Sequence, residues 1–156
     1  MISTATVNRF LAEPRITVVG ASDAKGSFGG TVYRSLRDHG YDVVAVHPTA
    51  ATVAGDPCYP DLAHVHGPIR AVLVMVNATA ALDVVDACIA REVDQVWLFR
   101  GLGGDGAVSD DAVRRLREHG VSVVAGACPL MFLEPVGLVH RIHRRMRRIH
   151  GSLSAA

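Results

Sequence analysis

Three features of the sequence predict an α/β domain, with a Rossmann-like, doubly wound, mostly parallel five-stranded sheet and helices on both faces. Short runs rich in β-branched residues recur at 16–20, 41–46, 69–76, 94–99 and 121–125. Such near-continuous apolar runs belong to strands buried on both faces. Between them, residues 29–39, 79–91 and 109–119 carry apolar side chains at helical spacing, as right-handed crossovers between parallel strands require. The third feature is the glycine-rich turn between the first strand and the first of these helices, which holds Gly20, Gly26, Gly29 and Gly30.

Each element has its own local reason. Thr6 is expected to cap a short helix that runs through Leu11 and closes before Pro14. The helix over 29–39 places Val32, Tyr33 and Leu36 on one face and ends at Gly40, a residue suited to the left-handed end of a helix. The second strand, 41–46, runs into His47 and Pro48. Residues 53–59 read as a minor extended segment, and 61–65 as a single helical turn. The unbroken apolar run at 69–76 marks a central strand. Leu82, Val85 and Ile89 face inward from the helix over 79–91. A loop with Gly101, Gly103, Gly104 and Gly106 follows the fourth strand, and Ser109 caps the next helix, which Gly120 ends.

Size and composition narrow the function classes. At 156 residues the chain suits one domain, expected over 1–134, followed by a basic amphipathic helix and tail over 135–156. A net charge of +1 supplies no global field for nucleic acid or an acidic membrane. Its three cysteines, Cys58, Cys88 and Cys128, are an odd number at wide spacing. That argues against a disulfide framework or a zinc site and for the cytoplasm. The opening residues lack the sustained apolar core of a secretory signal, and no run is long enough to cross a bilayer.

The glycine turn carries the chemistry. Backbone amides at a helix start, with the positive end of the helix dipole, suit a phosphate. Lys25, the only lysine in the chain, sits in the same turn. Together they read as a diphosphate cradle. The spacing fits neither GxxxxGK followed by Ser or Thr nor GxGxxG. A nicotinamide dinucleotide site places Asp or Glu at the end of the second strand, where this chain has His47. NAD(P) with a redox function is therefore the alternative rather than the first expectation. In a doubly wound sheet the turns at Gly20, His47, Val76–Asn77, Arg100–Gly101 and 126–128 gather beyond the carboxyl ends of the strands.

These stretches together resemble the small CoA-binding domain family, the single-domain relatives of the nucleotide-binding part of acyl-CoA synthetases, over residues 16–130. VVGASDAKGSFGG resembles the family's glycine loop and VVAVHP its second strand, with His47–Pro48 in place of Asn-Pro. CYPDL is similar to its aromatic-Pro-x-Leu turn, VWLFRG to its Trp-containing fourth strand, and GACP to the end of its fifth. The resemblance implies CoA or acyl-CoA as ligand and no reaction of the chain's own. Ala21, Ser22 and Gly29 would hold the diphosphate beside Lys25, with Phe28 covering the turn. His47 and Pro48 would border the adenosine, Val76 and Asn77 would lie along the pantetheine path, and Gly101 would be among the cofactor-binding residues. The chain departs from the family where Thr49–Ala50–Ala51 replace a basic residue that often meets the 3′-phosphate. Met75–Val76 replace an aromatic-Arg pair, and Phe99 a Gln. Free CoA is then a weaker ligand, and a less charged nucleotide an alternative.

Catalytic candidates are sparse. Cys128 at a strand end reads as a small buried hydrophobe rather than a nucleophile, and the pairs His64/His66 and His140/His143 read as solvated rather than metal-bound. The sequence therefore points to binding rather than catalysis, with an acyl-CoA enzyme as a partner. In the tail, Val139, Ile142, Met146 and Ile149 form an apolar stripe flanked by Arg141, Arg144, Arg145, Arg147 and Arg148. This predicts a helix that joins subunits, most simply as a homodimer, and not a nucleic-acid or membrane contact. A third reading is an oligomeric interaction module whose nucleotide site has decayed.

Overall fold

The computed structural model describes residues 2–102 and 104–133. Its strands are β1 (Arg15–Val19), β2 (Asp42–Val46), β3 (Thr52–Val53), β4 (Asp56–Tyr59), β5 (Ala71–Val74), β6 (Gln95–Phe99) and β7 (Ser122–Ala127). The helices are α1 (Thr4–Leu11), α2 (Phe28–Asp38), α3 (Ala78–Ala90) and α4 (Asp110–Glu118). The strands form one seven-stranded sheet in the order β3-β4-β2-β1-β5-β6-β7, with every pairing parallel except that of β3 with β4.

Side chains alternate across this sheet, and the two faces carry different helices. Ile16, Val18, Leu73 and Trp97 pack with Val7 and Phe10 of α1 and with Val32, Tyr33 and Leu36 of α2. Val19, Val72, Val74, Val96 and Leu98 pack with Ala81, Val85 and Cys88 of α3 and with Ala112 and Leu116 of α4. Burial from both sides is why these strands read as continuous apolar runs. Trp97 is fully buried; its indole N–H donates to the Ala127 carbonyl at 3.0 Å, and its ring meets Phe10 edge-on at 5.3 Å.

The five-stranded expectation is corrected to seven. The extra pair is a hairpin, β3–β4, which lies along the outer edge of β2. Its turn, Ala54–Gly55, has positive φ at both residues (51° and 82°), the geometry that matches a tight hairpin to the twist of its strands. The strands are too short and too polar to show a period. Distant residues hold them in place: Val53 is fully buried, and the Tyr33 hydroxyl donates to the Asp56 carboxylate at 2.8 Å. Arg37 donates to Asp56 and to the Ala54 carbonyl, each at 2.9 Å. Burial first, then the bond to Asp56, raises the Tyr33 pKa above its ordinary range.

Smaller differences are informative. Thr6 lies inside α1, whose first turn follows Ser3, and α1 packs on the sheet rather than starting at Thr6. α2 begins one residue early because Ser27 caps it. The 61–65 turn is present as a short 3-10 helix over Leu62–His64, with the Asp61 carboxylate accepting from the His64 amide at 3.0 Å. Ser109 caps α4 by accepting from Ala112 N–H. No helix of the described residues is long and apolar enough to cross a membrane. The helix expected over 135–150 lies outside the described residues.

Candidate functional site

The chain leaves β1 outward to β2 and later returns to β5 on the other side of β1, so the strand order reverses between β1 and β5. Ligands of such sheets sit at that reversal, beyond the carboxyl ends of the strands. The residues there are those of the glycine turn, the loop after β2 and the turn before α3.

The glycine turn is built by close internal packing. Gly20 has φ +99°, its N–H donates to Val46 O at 2.9 Å, and a Cβ on it would fall 2.5 Å from Met75 O. A Cβ on Gly29 would fall 2.3 Å from Gly20 O, and one on Gly30 would fall 2.1 Å from Ser22 O. These glycines therefore let the first turn of α2 press onto the backbone of residues 20–22. The immediate neighbours of Gly20, Gly29 and Gly30 are the protein's own carbonyls, whereas a Cβ on Gly26 would meet nothing within 4 Å.

What remains open at the helix start follows from this packing. The Ser27 hydroxyl accepts from Gly30 N–H at 3.1 Å and its carbonyl from Thr31 N–H at 3.2 Å. The amides of Phe28 and Gly29 make no hydrogen bond among the described residues, as the first amides of a helix cannot within the helix itself. Lys25 stands exposed in the same turn, where Ala21 is buried and Ser22 half-buried. The Phe28 ring, 43% exposed, lies 5.4 Å from the ring of Phe99, and Gly101 lies against Phe99, where a Cβ would be 3.0 Å from Cζ. Phe28, Phe99 and Gly101 are thus brought together although they come from two distant turns.

His47 closes the loop after β2 on itself. Its backbone N–H donates to Tyr59 O at 2.9 Å, while its Nδ1 accepts from Thr49 N–H at 3.2 Å and from Ala50 N–H at 3.1 Å. Two backbone donors on Nδ1 place the ring proton on Nε2. Pro48 is exposed beside it. Across the crevice, Val76 packs beside Gly20, with Cγ1 3.1 Å from where a Gly20 Cβ would be. Asn77 is the cap of α3: its Oδ1 accepts from Ala80 N–H at 2.9 Å, so its side-chain oxygen already has a structural role.

Two residues that sequence reasoning passed over tie this site together. The Asp23 carboxylate, in the glycine turn, accepts from Ala54 N–H at 2.9 and 3.1 Å and pairs with Arg34 of α2. It bolts the glycine turn to the β3–β4 hairpin. No local pattern announces a bond to a residue so far along the chain.

The cysteines divide by environment. Cys88 is buried in the core, and burial pushes its thiol up to about 12. Burial raises the Cys58 thiol as well. Cys128 is a half-buried free thiol between β7 and the short turn at Pro129–Met131. Among the described residues no group of three or more His, Cys, Asp or Glu side chains could hold a metal ion. A separate groove of about 730 Å³ opens at the amino ends of β1 and β2, lined by Leu11, Pro14, His39, Tyr41 and Phe132 among others. It is remote from the glycine turn.

Comparison with known proteins places this geometry among relatives. A model of the CoA binding domain matches residues 14–134. The chain is 27% identical over 118 residues to the acetate–CoA ligase [ADP-forming] I of Archaeoglobus fulgidus, a match covering 72% of this chain and 17% of the ligase. It is 28% identical over 114 residues to the uncharacterized protein YneT of Bacillus subtilis, covering 73% of this chain and 81% of that one. The solved structure of a hypothetical protein from Pyrococcus horikoshii OT3 superposes with a TM-score of 0.76 at 25% identity, covering 83% of this chain and 89% of that one. The chain thus spans a small part of the ligase and most of the two shorter relatives.

Proposed function

This chain belongs to the CoA-binding domain family, and we propose that it is a cytoplasmic module that holds CoA or an acyl-CoA without transforming it. The observation that carries the reading is the pair of unpartnered amides on Phe28 and Gly29 at the start of α2, beside Lys25, at the reversal of strand order. A diphosphate there would accept from both amides and gain from the helix dipole and the lysine. Ala21 and Ser22 would form the floor of that cradle. The adenosine would lie against His47 and Pro48, with the Nε2–H of His47 as a donor. Pantetheine would run past Val76 and the backbone of Asn77 toward Phe28, Phe99 and Gly101, whose apolar surface suits a thioester end.

The non-catalytic part of the reading is supported by the cysteines: burial raises Cys58 and Cys88, and Cys128 lies outside the glycine turn. Acyl chemistry would then fall to a partner enzyme. The arginine-flanked stripe of residues 135–150 would join two copies of the chain. Truncation before Val136 should then lower the mass measured by light scattering while ligand binding persists, and equal masses would remove that assignment.

The test of the function is calorimetry and thermal shift on the full chain with CoA, acetyl-CoA, NAD and NADP. CoA-type ligands should release heat and raise Tm, and the nicotinamide dinucleotides should do neither. Binding of NAD with silence toward CoA-type ligands would overturn the reading, and silence toward all would favour a decayed site.

A further inference from the structure

The loop after the second strand of a doubly wound fold reads what decorates the ribose: an acid takes a free hydroxyl, and a nearby cation takes a phosphate. Among the described residues that corner lacks cations. Between Arg37 and Arg70 the sequence contains no lysine or arginine, and the loop itself is His47–Pro48–Thr49–Ala50–Ala51. Successive backbone amides can also form an anion nest. Here the amides of Thr49 and Ala50 both donate to His47 Nδ1, so they are turned inward.

The arginines that reach toward this corner from α2 are already held by carboxylates. Arg34 pairs with Asp23, and Arg37 with Asp56 and the Ala54 carbonyl. Lys25 belongs to the glycine turn with the open amides of Phe28 and Gly29. A phosphomonoester at the ribose, with about two negative charges, would meet His47, Thr49 and the alanines with no cation among the described residues to offset its loss of water.

We propose that the preferred ligand of this site is a CoA-type molecule whose ribose carries no 3′-phosphate, the chemical class of 3′-dephospho-CoA. The inference rests on the CoA-type reading above and narrows it. The ribose hydroxyls would face the His47–Ala50 turn, and the diphosphate would keep its place at the start of α2.

Calorimetry on the full chain with CoA and with 3′-dephospho-CoA tests it directly. The dephosphorylated ligand should bind about threefold or more tighter. CoA binding as tightly or more tightly would overturn the inference while leaving the CoA-type reading intact; silence toward both would remove the two together. Thr49→Lys supplies the missing cation and should improve CoA by about three- to tenfold with dephospho-CoA unchanged. A variant that moves both ligands, or neither, would place the ribose elsewhere and overturn the proposal. Lys25→Ala should weaken both ligands alike. If it weakens CoA alone, Lys25 meets the 3′-phosphate and the proposal falls.

Discussion

The β1–α2 and β5–α3 connections leave neighbouring parallel strands and enter helices on opposite faces of the sheet, and only the first is a long glycine-rich turn. Their capping is the same. Ser27 accepts from Gly30 N–H at 3.1 Å, and Asn77 accepts from Ala80 N–H at 2.9 Å. Their depth differs. The first spends residues 20–27 and sets Gly29 and Gly30 directly on the carbonyls of Gly20 and Ser22; the second spends residues 75–77, and Thr79 and Ala80 at its helix start are exposed. A capped helix start is therefore generic. What distinguishes the first is a helix pressed onto its own turn, which leaves Lys25 and Phe28 standing outside the packed backbone.

The largest expected effect breaks that press. Gly29→Val puts a side-chain carbon 2.3 Å from Gly20 O, and it should cost about 3 kcal/mol or more of stability in urea denaturation. Thr79→Val, at the matching position of α3, should stay within about 0.5 kcal/mol. Equal costs would mean that the two connections do not differ as described.

Next in size is the hairpin, which braces the first connection through Asp23 and has no counterpart at the second. Tyr33→Phe removes the hydroxyl that meets Asp56 and should cost about 1 to 2 kcal/mol. A silent Tyr33→Phe would show that the hairpin is held without that bond. The two caps should cost alike, about 1 kcal/mol each for Ser27→Ala and Asn77→Ala. Asn77→Ser should then recover most of the loss. Should Asn77→Ser be stable yet bind CoA poorly, Asn77 touches the ligand as well as its helix.

Lys25→Ala should be smallest in stability, changing it by less than about 0.5 kcal/mol, while weakening CoA about fivefold. Unchanged affinity would remove Lys25 from the diphosphate site.

How much of this was legible in the sequence depended on whether the cause was local. The strands β1, β5 and β6 announced themselves because both of their faces are buried and their residues are apolar, while β2 and the edge strand β7 showed through their short valine-rich runs. Ser109 showed as a cap because a capping residue precedes an acidic first turn. Asn77 offered a similar local sign, a polar cap residue ahead of the apolar run in α3, and its capping went unread. The hairpin was invisible as a pair of strands because Val53, Asp56, Tyr33 and Arg37 meet only once the chain has folded. The glycine turn was legible as a turn, but not the contacts of its glycines, since the oxygen opposite Gly29 belongs to a residue whose position only the tertiary structure fixes. Asp23 gave no sign at all.

One buried side chain also makes the molecule report on itself. Trp97 is the chain's only tryptophan, and Phe10 of α1 and Phe132, beyond β7, both meet its ring edge-on, at 5.3 and 5.7 Å. Its emission is therefore that of one indole held out of water by two segments distant in sequence. Release of either segment would shift that emission to the red while the parallel strands still gave their far-ultraviolet dichroism. Loosening of α1 or of the segment after β7 could then be timed separately from melting of the sheet, with no label added.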